Sequence, residues 1–187
     1  MDRDGTLIDD VGYLSRTDRI SIREGVFEGV RTLLDRSYIP VVVTNQSGVA
    51  RGLIENGQLH AIHRQLHEAF LEREAPVLAW YYCPHLPPDQ LRPEEEDGAN
   101  RSLLKTCDCR KPGHQLWREA ASDLPGTVDF SASWSVGDRK RDVLPGCELG
   151  TGAVLVGNSN PAASADREIV SASSFREAVD VICSQAD

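Results

Sequence analysis

The chain has 187 residues, 40% hydrophobic and 26% charged, which fits one soluble globular domain, or one with a modest insertion, that needs no disulfides to hold a core. A formal net charge of −9 argues against a general nucleic-acid binder, because counterion release needs a basic surface, but leaves a phosphorylated substrate open. With no run of roughly 18 apolar residues, no basic-then-apolar leader and five Cys, an odd count that suits reduced thiols or metal ligands, the expectation is a cytoplasmic monomer with neither membrane nor nucleic acid as partner.

In chain order, Val26, Val30, Leu33 and Leu34 share one helical face. Ile39–Val43 is predicted as a buried strand, and Leu59, Ile62, Leu66 and Phe70 mark a second helix. Pro76–Tyr82 reads as the next strand, Trp134–Val136 as a short third and Ala153–Val156 as a fourth, with Glu168–Val170 as a possible edge strand. Ser174 and Glu177 predict a capping box before Ala178, Val181 and Ile182. Strands alternating with helices give an α/β fold: an open, mostly parallel sheet with helices on both faces and its ligand site at the carboxyl ends of the strands. Between Cys83 and Lys111 the period is lost among four prolines and an acidic run, so something must hold this long loop in place.

The segments that follow the strands carry the chemistry. Met1-Asp2-Arg3-Asp4-Gly5-Thr6 sets two carboxylates two residues apart, which suits a hard cation, although a solvated acidic terminus has the same composition. Thr44-Asn45-Gln46-Ser47-Gly48 offers a hydroxyl and backbone N–H groups as an anion cradle, or an ordinary polar turn. Cys109-Arg110-Lys111-Pro112 brings paired cations that could neutralise a phosphoryl group, or a surface pair. Ser135-Val136-Gly137-Asp138 ends a strand in a carboxylate that could complete a metal site or cap a helix. Cys83-Pro84-His85 and Cys107-Asp108-Cys109 supply three thiolates and an imidazole, the donor set of a closed tetrahedral zinc site, with Asp108 left in solvent.

The order DRDGT, TNQSG, RKP, GDRKRD resembles the four motifs of the haloacid dehalogenase (HAD) superfamily of phosphotransferases. More closely, TNQSGVARG, YYCPH and CDCRKP resemble the D-glycero-D-manno-heptose-1,7-bisphosphate 7-phosphatase family, which shares its fold and zinc loop with the histidinol-phosphate phosphatases. The resemblance implies that Asp2 is the nucleophile and Asp4 the general acid and base, with Thr44 and Lys111 on the phosphoryl oxygens. It implies Mg2+ on Asp2, the Asp4 carbonyl and Asp138, structural Zn2+ on Cys83, His85, Cys107 and Cys109, and Asp142 outside the ligand set. Substrate contacts are implied for Asp10, Val11, Gly12, Tyr13, Asn45, Gln46, Ser47, Arg110 and Arg139. One helix uses much of residues 5–43, so no cap domain fits there, and the expectation is a single capless domain over 1–187 with a zinc-loop insertion at 83–109. The implied substrate is heptose 1,7-bisphosphate. A histidinol-phosphate phosphatase and an inactive, zinc-stabilised phosphate-binding homologue are the alternatives, and the serine of TNQSG with VARG favours the heptose reading.

The resemblance also implies an apolar strand before Asp2, where only Met1 stands. A start assigned too far downstream, a trimmed chain, a partner or altered sheet in that place, or an inactive homologue would each account for it. The first two are favoured because the downstream catalytic residues are intact, and a chain extended upstream is expected to be more active or more stable. Pro145 is expected to shorten or distort the helix after Asp138. His60, His63 and His67 read as a surface stripe, Glu94–Glu96 as a solvated face, Cys147 and Cys183 as partly buried thiols, and the three tryptophans as packing residues.

Overall fold

Apolar residues at helical spacing build α1 (Val26–Asp35), in which Val26, Val30 and Leu33 are buried. In the computed structural model, which describes residues 1–157 and 169–185, α1 leads into β1 (Val41–Asn45). Then follow α2 (Asn56–Glu72) and β2 (Ala79–Cys83), which pairs in parallel with β1 from Val41↔Ala79 to Asn45↔Cys83. Both strands begin later than their apolar runs suggest. Pro40 has no N–H to give a ladder, and its carbonyl accepts from Leu78 at 2.9 Å where the pairing starts.

After α3 (Gln115–Asp123) come β3 (Trp134–Gly137), α4 (Lys140–Leu149), β4 (Gly152–Val156), β5 (Val170–Ala172) and α5 (Phe175–Ser184). Strands β3, β4 and β5 form a second parallel sheet in that order. The edge strand thus begins at Val170, and Glu168 lies outside the described residues. Alternation along the strands gives the sheet two buried faces. Val42, Val136, Val154 and Val156 join the core made with α1, α2 and α5. Val43 packs with Leu116 of α3, and Ala153 and Leu155 pack with Val143 of α4. Trp80 and Trp134 pack against the first core and Trp117 against the second, as expected of packing residues.

Two local expectations are corrected. Helix α4 is not cut short: it runs through Pro145 to Leu149. The Asp142 carboxylate accepts from Arg139 N at its start, Gly150 in the left-handed region closes its end, and buried Val143, Pro145 and Gly146 hold its inner side. At α5, Ser174 Oγ accepts from the Glu177 N–H at 3.2 Å, but the Glu177 carboxylate reaches back to the N–H of Ser173, one residue before the cap.

Besides the shared core, backbone hydrogen bonds of Met1 and Asp2 link the two sheets. The Met1 ammonium donates to Val41 O at 2.9 Å, Val43 N to Met1 O at 2.8 Å, and Asp2 N to Val136 O at 2.9 Å. These two residues occupy the end of a strand position between β1 and β3. Behind them a cavity of about 850 Å³ separates the facing edges, lined by Met1, Val41, Val43, Trp134 and Val136 among others.

Candidate active site

The carboxyl ends of β1 and β3 and the start of the chain converge on one polar cavity of about 360 Å³. Asp2, Asp4, Thr44, Lys111 and Asp138 line it, as do Asp10, Gly12, Tyr13, Asn45, Ser47, Arg110 and Arg139. Val11 and Gln46 are not on its wall. Val11 faces outward at 37% exposure, and Gln46 is buried at 4%, its amide spent on Asp4 Oδ2 (2.8 Å) and Thr44 Oγ1 (2.9 Å).

Lys111 holds the acidic groups together. Its Nζ, almost fully buried, lies 2.6 Å from Asp2 Oδ1, 2.6 Å from Asp142 Oδ1 and 3.0 Å from Val43 O. The loop carrying it is fixed by Asn45, which accepts from Lys111 N at 2.9 Å and donates to Lys111 O at 3.1 Å. Burial opposes the charge of Asp2, yet the Lys111 ammonium and its hydrogen bond hold that carboxyl below the usual range. The neighbouring acids move the other way. Burial, then the charge of Asp2, pushes Asp142 up to about 6 and raises Asp138. Burial also raises Asp4, against the pull of Arg3.

Oxygens of Asp2, Asp138 and Asp142 lie within 4.8 Å of one another. Three carboxylates so close repel one another, and a divalent cation with oxygen ligands would relieve that repulsion. Gly5 makes room for the cluster: a Cβ there would stand 2.5 Å from Asp138 Oδ2. Asp142 thus joins the carboxylate cluster, held there by Lys111. It also accepts from Arg139 N at 3.0 Å, reaching back from the first turn of α4 to the backbone that opens the helix.

Cys83, His85, Cys107 and Cys109 also converge, with donor atoms within 4.8 Å of one another. Five of their separations run from 3.0 to 3.6 Å, somewhat below the roughly 3.8 Å sulfur–sulfur edge of a tetrahedral Zn–S site. Three thiols and one imidazole nitrogen fit a zinc ion in number and kind. Asp108 is exposed as expected. Arg110 Nη1 donates to His85 O at 3.3 Å, which couples the cluster to the cavity wall.

Arg51, Gln90 and Arg141 also line the cavity. Arg51 lies within the quoted TNQSGVARG motif and Arg141 within GDRKRD, so both could have been singled out; Gln90 carries no sequence signal. The acidic run is not wholly solvated. Glu95 is buried at 7% and pairs with Arg51 and with Arg92, pinning the long loop from the side opposite the cysteines.

Comparison with known proteins agrees with this geometry. A family model described as HAD-hydrolase-like matches residues 108–178. The D-glycero-beta-D-manno-heptose-1,7-bisphosphate 7-phosphatase of Haemophilus ducreyi is 34% identical over 169 residues, 90% of this chain and 86% of that protein. Its counterpart in Escherichia coli K12 is 33% identical over 162 residues, 86% of this chain and 79% of that one. The crystal structure of the D,D-heptose 1,7-bisphosphate phosphatase of B. bronchiseptica, complexed with magnesium and phosphate, superposes with a TM-score of 0.77 at 25% identity, covering 99% of this chain and 97% of that one. A putative HAD-like phosphatase from Mesorhizobium loti gives 0.80 at 26% identity, covering 99% and 83%.

Proposed function

Because the chain belongs to the D-glycero-beta-D-manno-heptose-1,7-bisphosphate 7-phosphatase family of HAD-like hydrolases, we propose that it removes the 7-phosphate of a heptose 1,7-bisphosphate. The observation that carries the reading is the convergence of Asp2, Asp138 and Asp142 around Lys111 in a polar cavity.

Asp2 is the nucleophile. Its low proton affinity keeps it ionised, and its carboxylate attacks phosphorus as the bond to the sugar oxygen breaks, leaving an aspartyl-phosphate. Asp4, whose carboxyl is raised by burial, gives its proton to the departing oxygen. It then takes one from the water that releases phosphate. Lys111 and Thr44 hold phosphoryl oxygens, where losing one donor typically costs about 100-fold or more. Asp2, Asp138 and the Asp4 carbonyl would hold Mg2+, with Asp142 beside them on Lys111. That ion, when bound, offsets the repulsion between a carboxylate nucleophile and an anionic phosphate. Cys83, His85, Cys107 and Cys109 would hold a structural Zn2+ that clamps the 83–109 insertion onto a single capless domain.

Arg51, Arg110, Arg139 and Arg141 on the cavity wall suit a substrate with a second phosphate. They would repel the ammonium of histidinol phosphate, which speaks against that alternative. Asp2→Asn is expected to abolish phosphate release from heptose 1,7-bisphosphate in Mg2+, with the parent faster on that ester than on histidinol phosphate. Release by the variant at the parent's rate would refute the role of Asp2, and no release by either would favour the inactive binding module.

A further inference from the structure

Arg3 sits between the two catalytic acids in sequence and is 1% exposed despite its charge. Its guanidinium holds Asp4 from behind: Nε and Nη2 reach Asp4 Oδ1 at 3.2 and 3.0 Å, and Nη2 reaches Gln46 Oε1 at 2.8 Å. The remaining nitrogen, Nη1, lies 2.9 Å from His63 Nε2. A guanidinium has only donors to offer, so His63 must accept at Nε2 and carry its proton on Nδ1. Its ring is stacked on Trp80 at 5.7 Å and meets Tyr82 edge-on at 5.5 Å. Burial, Arg3 and His60 lower its proton affinity to a pKa of about 3, so it stays neutral and available as an acceptor. His63 is therefore not part of a surface stripe, and it is not among the residues lining the catalytic cavity.

We propose that His63 is a positioning residue for phosphoryl transfer: by accepting from Arg3 Nη1 it fixes the guanidinium, and through it the direction in which the Asp4 carboxyl faces the leaving oxygen. The inference rests on the reading of Asp4 as general acid. Arg3 makes bonds to Asp4, Gln46 and His63 from one planar group, so withdrawing the acceptor at Nη1 leaves a buried donor unpaired. The planar group would then turn to find another partner and carry Asp4 with it. A histidine that only filled the core would affect stability and nothing else.

The test compares kcat/KM on two esters. Heptose 1,7-bisphosphate leaves as a sugar alkoxide and needs a proton, whereas p-nitrophenyl phosphate leaves as a phenolate and does not. kcat/KM ends at cleavage of the ester bond, so the later work of Asp4 on water drops out. The ratio of the two values is independent of how much enzyme is folded. His63→Leu is expected to lose about tenfold on the sugar ester, a fraction of the effect of a general acid, and less than about twofold on the aryl ester. His63→Gln, which keeps an acceptor, is expected to recover most of the loss. Arg3→Lys, whose single nitrogen cannot reach Asp4 and His63 together, is expected to show the same selective loss and serves if the leucine variant does not fold. Equal losses on both esters, or none on either, overturn the inference. A parent inactive on both esters overturns the phosphatase reading and this inference with it.

Discussion

Asp142 shows how one side chain's surroundings set its use. Its carboxyl is buried beside Asp2 and lifted to about 6 from 3.8. A carboxyl raised in the folded state contributes stability that is full below 3.8 and is lost as pH rises through 6. Without a divalent ion, this group therefore weakens the fold between those pH values. A cation needs the ionised carboxylates, so Mg2+ is expected to raise the unfolding midpoint by several degrees at pH 7.5 and by less than half as much at pH 5. Thermal melts with and without Mg2+ at both pH values check this, and an equal rise at both would place the cation elsewhere. The motifs made Asp2, Asp4, Thr44 and Asp138 legible because each follows a strand or opens the chain, and Lys111 because it stands beside the last cysteine of the long loop. Asp142 was readable as standing outside the ligand set and not as a member of the carboxylate cluster. Its spacing from Asp138 suits either place, and only the approach of Asp2 from the far end of the chain, where Lys111 bridges the two acids, brings it into the cluster. His63 was misread for a similar reason: a histidine beside an apolar face is ambiguous until its partner, sixty residues away in sequence, is known.

Among the elements, the long loop gains its order from two anchors. On one side stand Cys83, His85, Cys107 and Cys109. On the other, Arg51 pairs with Glu95 and donates to Gln90 O at 3.2 Å, while Asn100 N reaches Ala50 O at 2.9 Å. Cys107→Ala is expected to remove bound zinc, measured by metal analysis of the purified protein, and to lower the unfolding midpoint. The Arg51 anchor should keep the loop partly in place, so the first protease cuts are expected within residues 84–106. Zinc retained in full by the variant would contradict the ligand set. The need for a clamp was legible because prolines and an aperiodic run cannot order themselves, and C-x-H and C-x-C pairs supply the means. The acidic anchor was hidden, since Glu95 has the same neighbours in sequence as a solvated glutamate. Strand positions were legible to within a few residues. The late start of β1 traces to Pro40, which extends the apolar run but has no N–H to give the ladder.

At the scale of the whole molecule, the two sheets face each other across a cavity. Met1 and Asp2 bridge β1 and β3 at one end only, and the cavity of about 850 Å³ lies between edges that would otherwise pair. In a chain that begins at Met1 the α-ammonium is buried there. Burial and then the charge of Lys111 lower its pKa from 8.0 to about 5. A folded pKa lowered in this way contributes stability that is full above 8 and is lost as pH falls through 5. Adding four or five alternating β-branched residues before Met1 would replace the ammonium with a peptide, fill the cavity with side chains and pair both edges. The extended chain is expected to melt several degrees higher at pH 8. Its advantage should widen toward pH 5, because only the shorter chain must bury a charge as the amine protonates. Asp142 titrates in both chains, so its opposing slope cancels in the difference. Placement of Asp2 should also tighten, since the residue before it gains a strand to hang from, and kcat on heptose 1,7-bisphosphate is expected to rise or hold. An extension that leaves the melting point unchanged at both pH values would mean the cavity does not accept a strand, and that the two residues bridging the sheets already supply all the cohesion the fold obtains there.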